Sequence, residues 1–110
     1  MKTVLQSLNK TPGVLGSAYL CGETEVADFG EAIGGAAALP LARRAADACR
    51  RWVEGGGTPL DAAVFVGTEG RLVVRTAGQG HLVAFAENDA AAGLLKMRMR
   101  DAAAQMKAVG

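Results

Sequence analysis

Histidine, cysteine and aromatic residues are all scarce in this chain of 110 residues. It carries one histidine, two cysteines, one tryptophan, one tyrosine and three phenylalanines. A catalytic histidine needs a nucleophile and an orienting carboxylate within reach, and no motif pairs His81 with a serine or with Cys21 or Cys49. The cysteines also lack the spacing of a metal site, so we expect no catalysis, no metal and no cofactor. We interpret His81 as a surface histidine, or one at the rim of the sheet beside the turn 78–80, without a catalytic role. We interpret both cysteines as reduced, buried core residues.

An excess of charge and a long apolar run are also missing. The formal net charge is +1, whereas a nucleic-acid-binding domain normally shows a strong basic excess. No stretch reaches the roughly 18 apolar residues that a membrane-spanning helix needs, and the first seven residues lack the apolar core of a secretory signal. We therefore expect a cytoplasmic protein that neither binds nucleic acid nor inserts into a membrane.

Glycine is abundant, with 15 residues, but no phosphate-binding loop is present. The pair Gly34-Gly35 and the run Gly55-Gly56-Gly57 are not followed by Gly-Lys-Ser/Thr, which excludes a P-loop. We interpret these glycines as turn residues, because glycine ends helices and adopts positive φ at little cost.

Half of the residues are hydrophobic, so a core can form without disulfides or metal. The length is that of one domain, spanning 1–110. Many of the hydrophobic residues are alanines and few are aromatic, which predicts a thin and closely packed core.

Three short apolar runs separated by glycine-containing turns predict three consecutive antiparallel strands. The runs are 60–66, 71–77 and 81–87. The first run would leave an apolar edge exposed in a monomer, and such an edge favours pairing with a second copy of the chain.

The remaining elements follow from periodicity and breakers. We predict a helix over 2–9, a strand over 14–21, a weak edge strand over 26–29, a helix over 37–54 with Pro40 in its first turn, and a last helix capped by Asn88-Asp89. The order αββαβββα predicts an α+β fold, a profilin-like layered architecture in which a five-stranded antiparallel sheet carries helices on both faces.

The middle helix divides into an apolar and a charged side. Its predicted inward stripe consists of Leu41, Ala45, Ala48, Cys49 and Trp52. Its charged side consists of Arg43, Arg44, Asp47, Arg50 and Arg51. Asp47 can be shared between Arg43 and Arg51, and Ala42 and Ala46 would leave flat room between the charges. The charged side is either a solvated helix face or a basic patch for an acidic protein partner.

Three segments together resemble the Roadblock/dynein light chain 7 family, which includes the bacterial MglB-like regulators of Ras-like GTPases. The first is Thr11-Pro12-Gly13-Val14-Leu15-Gly16-Ser17-Ala18, at the start of the first strand. The second is Thr68-Glu69-Gly70-Arg71-Leu72-Val73-Val74, a glycine turn and return strand. The third is Asn88 with Gly93-Leu94-Leu95, at the opening of the last helix.

The resemblance implies a homodimer that binds a small Ras-like GTPase and is not an enzyme. Two sheets would join edge to edge through 60–66, with the two middle helices side by side. The expected dimer interface is Leu60, Ala62, Val64, Val66 and Trp52, and the expected partner-binding residues are the charged side of the middle helix. Two alternatives remain: a dimeric scaffold subunit without a GTPase partner, and a domain that senses a small molecule in a pocket between sheet and helix.

Overall fold

An antiparallel sheet of five strands forms the centre of the structure, a computed structural model that describes residues 2–29, 35–57, 62–67 and 70–109. The elements in chain order are α1 (Lys2–Asn9), β1 (Val14–Cys21), β2 (Thr24–Phe29), α2 (Gly35–Glu54), β3 (Ala62–Val66), β4 (Arg71–Ala77), β5 (Gly80–Ala86) and α3 (Ala92–Val109). The predicted α+β class and the order αββαβββα are confirmed. Among the described helices, none has the length and apolar character that crossing a membrane requires.

The strands lie in the order β2-β1-β5-β4-β3. The first and last strands of the chain therefore pair at the centre, with Leu20 opposite His81 and Ser17 opposite Ala84. Strand β2 lies at one edge, as predicted, and β3 lies at the other. Both edge strands hydrogen-bond to one neighbour only within the described sheet, so β3 presents an open edge.

The sheet is covered on both faces because its inner strands are apolar on both sides. In β5, Leu82 and Ala84 pack towards α1 and α3, while Val83 and Phe85 pack towards α2. This period of two is the normal alternation of a strand. Leu95, Met99, Ala102 and Met106 of α3 are buried in the same cluster as the apolar residues of α1.

A polar network fixes α1 on the sheet. The Ser17 hydroxyl is fully buried and donates to Asn9 Oδ1 at 2.7 Å. Asn9 Nδ2 in turn donates to the backbone oxygen of Asp28 at 2.8 Å and to its Oδ2 at 3.1 Å. Since buried polar groups are costly when unpaired, this chain of bonds specifies how α1 sits on β1 and β2.

Several boundaries differ from the prediction. Strand β2 begins two residues earlier, at Thr24, and β5 begins one residue earlier, at Gly80. Helix α2 begins at Gly35, so Pro40 lies in its second turn and Gly35 is helical instead of part of a loop. The predicted strand residues 60 and 61, including Leu60, lie outside the described residues.

The predicted N-cap of the last helix is wrong. Helix α3 begins at Ala92, and Asn88 and Asp89 belong to a turn closed by the Ala90 N–H, which donates to the Glu87 carbonyl oxygen at 3.1 Å. This turn is held from a distance: Arg71 Nη2 donates to the Ala90 oxygen at 2.6 Å. Glu87 N–H donates to the Gly13 oxygen at 2.8 Å. These long-range bonds outweigh the local capping preference.

The two thiols differ in accessibility. Cys49 is buried, as predicted, and burial raises the pKa of its thiol. Cys21, predicted to be buried, is only partly buried.

We expect a thiol reagent to label one cysteine per chain readily and the other only on unfolding, because the thiolate is the reactive form and burial suppresses it. Mass spectrometry after brief native labelling should find the label on Cys21. Rapid native labelling of Cys49 would contradict the burial of the inner face of α2.

Candidate partner-binding face and dimer edge

Helix α2 packs on the sheet through alanines. Among the α2 residues whose burial is described, the buried ones are Ala38, Ala42, Ala45, Ala46 and Cys49. The predicted inward stripe is therefore wrong in part, since Leu41, Ala48 and Trp52 are exposed. Small side chains on the inner face let the helix lie close to the strands, and the bulkier apolar residues are left on a second stripe that faces away from the sheet.

The two alanines expected between the arginines are in fact part of the core. Ala42 is fully buried and Ala46 is 4% exposed. They lie on the inner face because the buried stripe is rotated by about 60° around the helix axis from the predicted one, given roughly 100° per residue. The flat alanine surface predicted on the outside of α2 does not exist.

The charged side of α2 makes ion pairs that differ from the predicted ones. Arg43 reaches out of the helix to the β1–β2 turn, where its Nη2 contacts Glu25 Oε1 at 2.6 Å and its Nη1 donates to the Gly22 oxygen at 2.8 Å. Asp47 is not shared between Arg43 and Arg51. Its Oδ1 lies 3.5 Å from Arg50 Nη2.

The arginines of α2 therefore differ in how strongly other residues of the chain engage them. Arg43 is committed to the β1–β2 turn, whereas Arg44 and Arg51 are exposed. Arg50 also approaches Glu54 Oε1, at 3.8 Å. Exposed ion pairs of this kind stabilise a protein by only about 0–1 kcal/mol. Breaking the ion pairs of Arg50 to bind a partner would therefore cost little free energy, and Arg44 and Arg51 are already exposed.

Among the described residues, nearly all of the exposed large hydrophobic side chains lie on α2 and β3. Leu41, Trp52 and Val53 of α2 are 44–56% exposed, and Val64, Phe65 and Val66 of β3 are 39–74% exposed. Among the described residues, Met97 on α3 is the other large hydrophobic side chain that is exposed to this degree. Such a concentration marks an interaction surface.

Phe65 of β3 lies on the same face of the sheet as α2. Ala63 packs in the core beneath α2, and Phe65 follows two residues later, whereas Val64 and Val66 alternate to the opposite face. The end of α2 is held by the predicted turn glycines: Gly57 N–H donates to the Trp52 oxygen at 2.9 Å, and Gly56 has a φ of 91°. Glycine at this position permits the chain to leave the helix towards β3.

His81 lies half-buried beside a cavity on the flank of α2, consistent with the predicted rim position. The cavity has a volume of about 330 Å³. Burial lowers the pKa of His81, the nearby positive charge of Arg50 lowers it further, and Asp47 opposes this effect. The proximity of His81 and Gln79 to α2 could not be inferred from local sequence patterns, because it depends on the β1–β5 pairing.

The described residues hold no cluster of three or more histidine, cysteine or acidic side chains that could bind a metal ion. A second, smaller cavity of about 90 Å³ lies between α1 and α3 on the opposite face.

Solved structures of similar fold were found, although sequence comparisons found no match. No protein-family model and no curated protein sequence matches the chain. Among solved structures, a Roadblock/LC7 domain from Streptomyces avermitilis superposes with a TM-score of 0.74 at 19% identity, covering 99% of this chain and 96% of that one. Myxococcus xanthus MglB gives 0.78 at 16% identity, with 97% and 91% covered.

A structure described as MglB with tetrameric arrangement gives a TM-score of 0.77 at 18% identity, covering 98% of this chain and 85% of that one. The chain thus has the fold of the Roadblock/LC7 and MglB structures. The resemblance stated from the sequence is confirmed at the level of the fold.

Proposed function

We propose that the protein is a homodimeric, non-catalytic Roadblock/MglB-like module that binds a Ras-like small GTPase and modulates its nucleotide cycle or its localisation. The observation that carries this proposal is the concentration of exposed apolar side chains on α2 and β3, beside exposed arginines. The likeness to Roadblock/LC7 and MglB structures over nearly the whole chain supports it.

Dimerisation would proceed through β3 and α2. Two β3 edges can pair about a two-fold axis, which would extend the sheet across both copies. The open edge carries Ala62, Val64 and Val66, and α2 contributes Trp52 and Leu41. Leu60, also expected in this interface, lies outside the described residues. The exposed apolar stripe of α2 would then be buried against the same stripe of the second copy.

The partner would dock on the charged side of the paired α2 helices. Arg44, Arg50 and Arg51 remain available there, while Arg43 is bonded to the β1–β2 turn and Asp47 faces Arg50. Two-fold symmetry doubles this set of positive charges. A basic face accelerates association with an acidic partner surface and fixes its orientation more than it adds affinity.

The proposal is tested by native co-purification. A tagged chain expressed in its own cell type should recover a protein of Ras-like sequence, identified by mass spectrometry, and recovery should depend on whether GDP or a non-hydrolysable GTP analogue is supplied. Recovery of the chain with other proteins and no GTPase in either nucleotide state would instead support a scaffold subunit. A Val64→Lys variant, designed to dissociate the dimer, serves as the control that shows whether recovery of the GTPase requires dimerisation.

A further inference from the structure

The larger cavity lies where α2 crosses the end of the sheet that carries the β1–β2 and β4–β5 turns. Arg43, Asp47 and Arg50 line it from α2, and Gly22, Gln79 and His81 line it from the sheet. Its volume of about 330 Å³ far exceeds the roughly 10–15 Å³ that a cavity needs to hold one water molecule. The space is therefore large enough for a small organic molecule.

The side chains around this cavity differ in how much of their bonding capacity is used. Arg43 is bonded at 2.8 Å to the Gly22 oxygen and at 2.6 Å to Glu25. Among the described residues, Arg50 forms ion pairs with Asp47 at 3.5 Å and with Glu54 at 3.8 Å, both long contacts. Charge-assisted hydrogen bonds are typically 2.7–2.9 Å long, so the Arg50 guanidinium retains donors for an anion that enters the cavity.

Two neutral groups stand opposite Arg50. His81 is half-buried on β5, and Gln79 belongs to the adjoining turn. An imidazole and a carboxamide each offer an N–H donor. Asp47 offsets part of the positive charge and can accept a hydrogen bond from a hydroxyl or ammonium group of the same ligand.

We propose that this cavity is a binding site for a small molecule that carries a carboxylate or phosphate group, with Arg50 as its principal cation and His81 and Gln79 as neutral donors. The site lies on the flank of α2 and needs no protein partner. It shares Arg50 with the proposed partner face, but anion binding and GTPase binding are separate measurements, and anion binding can be tested on the isolated chain.

His81 provides the readout, because it is the one histidine in the sequence and gives a single set of imidazole carbon-bound proton resonances. The charged groups that line its cavity are Arg43, Asp47 and Arg50 of α2, while the turns contribute uncharged Gly22 and Gln79. The positive charge of Arg50 lowers the pKa of His81. A bound anion would offset that charge, so the pKa of His81 should rise on binding.

The test is an NMR titration of His81 with inorganic phosphate and, separately, with succinate, each against sodium chloride at the same ionic strength. We expect a saturable shift of the His81 resonances and a higher pKa with at least one probe, and no saturation with chloride. Saturation with phosphate alone assigns a phosphate ligand, and saturation with succinate alone assigns a carboxylate. Linear, chloride-like shifts with both probes would overturn the proposal.

Matched variants separate specific binding from a general effect of charge. Arg50→Ala should weaken probe binding by about tenfold or more, the change expected on losing a charge-assisted hydrogen bond. Arg100→Ala removes the same charge from exposed α3 and should leave probe affinity unchanged. Equal weakening by both variants would overturn the assignment, as would unchanged binding in Arg50→Ala. Because Arg50 is more than half exposed, its substitution should leave the fold intact, which circular dichroism checks.

Discussion

Replacing Leu82 by alanine is expected to lower the free energy of unfolding by roughly 2–5 kcal/mol. Leu82 is fully buried in β5, between Tyr19 of β1 and Arg75 of β4, and packs in the core with α1 and α3. The loss combines the transfer of apolar atoms to water with the cavity left behind. Since a small domain has a total stability of about 5–15 kcal/mol, this one change removes a large share.

Chemical denaturation monitored by circular dichroism measures this effect, with Met97→Ala as the matched control. Met97 is 45% exposed on α3, so its truncation should change stability by no more than about 0.5 kcal/mol. A Leu82→Ala protein as stable as the wild type would mean that the face between the sheet and α1/α3 is not the core.

The second large effect concerns assembly. Val64→Lys is expected to convert the dimer into monomers or to cause aggregation, because it places a charge on the exposed edge strand proposed to pair with its copy. Val64 is 56% exposed in the isolated chain. The substitution should therefore cost little within one protomer, and its effect should appear almost wholly in the oligomeric state.

Sedimentation velocity at micromolar concentration measures this outcome. Thr24→Lys is the matched control, since Thr24 is exposed at the start of the opposite edge strand, β2. The wild type and Thr24→Lys should sediment as dimers and Val64→Lys as a monomer. A wild-type chain that sediments as a monomer, or a Val64→Lys dimer of unchanged stability, would exclude pairing through β3.

Local sequence patterns predicted most of the elements correctly. The strand of Val14–Cys21 and the helix of Lys2–Asn9 have the predicted bounds, because alternation, helical spacing and the Pro12-Gly13 breaker act over a few residues. Boundaries that depend on distant contacts were wrong. The turn before α3 is bonded to Arg71 and Gly13, and a capping preference read from Asn88 cannot reveal such bonds.

The orientation of α2 was harder to predict for a different reason. Its sequence carries two overlapping apolar stripes, one of alanines and one that includes Leu41 and Trp52. A single chain gives no reason to bury the alanines in preference to the larger residues. Burying the alanine stripe on the sheet is favourable if the stripe with Leu41 and Trp52 is buried elsewhere, and dimerisation would bury it against the second copy.

The cavity beside His81 could not be predicted from the sequence. His81 lies opposite Leu20 in the sheet, although 60 residues of chain separate them. Arg50 approaches from a third element. No motif connects residues at such spacings, so only the folded structure brings a cation, an imidazole and a carboxamide around one space.

The proposed partner site is tested most directly by measuring the affinity of the co-purified GTPase for a variant in which two positive charges on α2 are reversed. Arg44→Glu with Arg51→Glu changes two exposed arginines on the proposed partner face and spares Arg43 and Arg50, which line the cavity. Arg98→Glu with Arg100→Glu makes the same change in net charge on α3. Isothermal titration at two salt concentrations should show partner binding lost in the α2 variant and retained in the α3 variant, with both still dimeric. Unchanged affinity and salt dependence in the α2 variant would contradict the α2 face as the partner site.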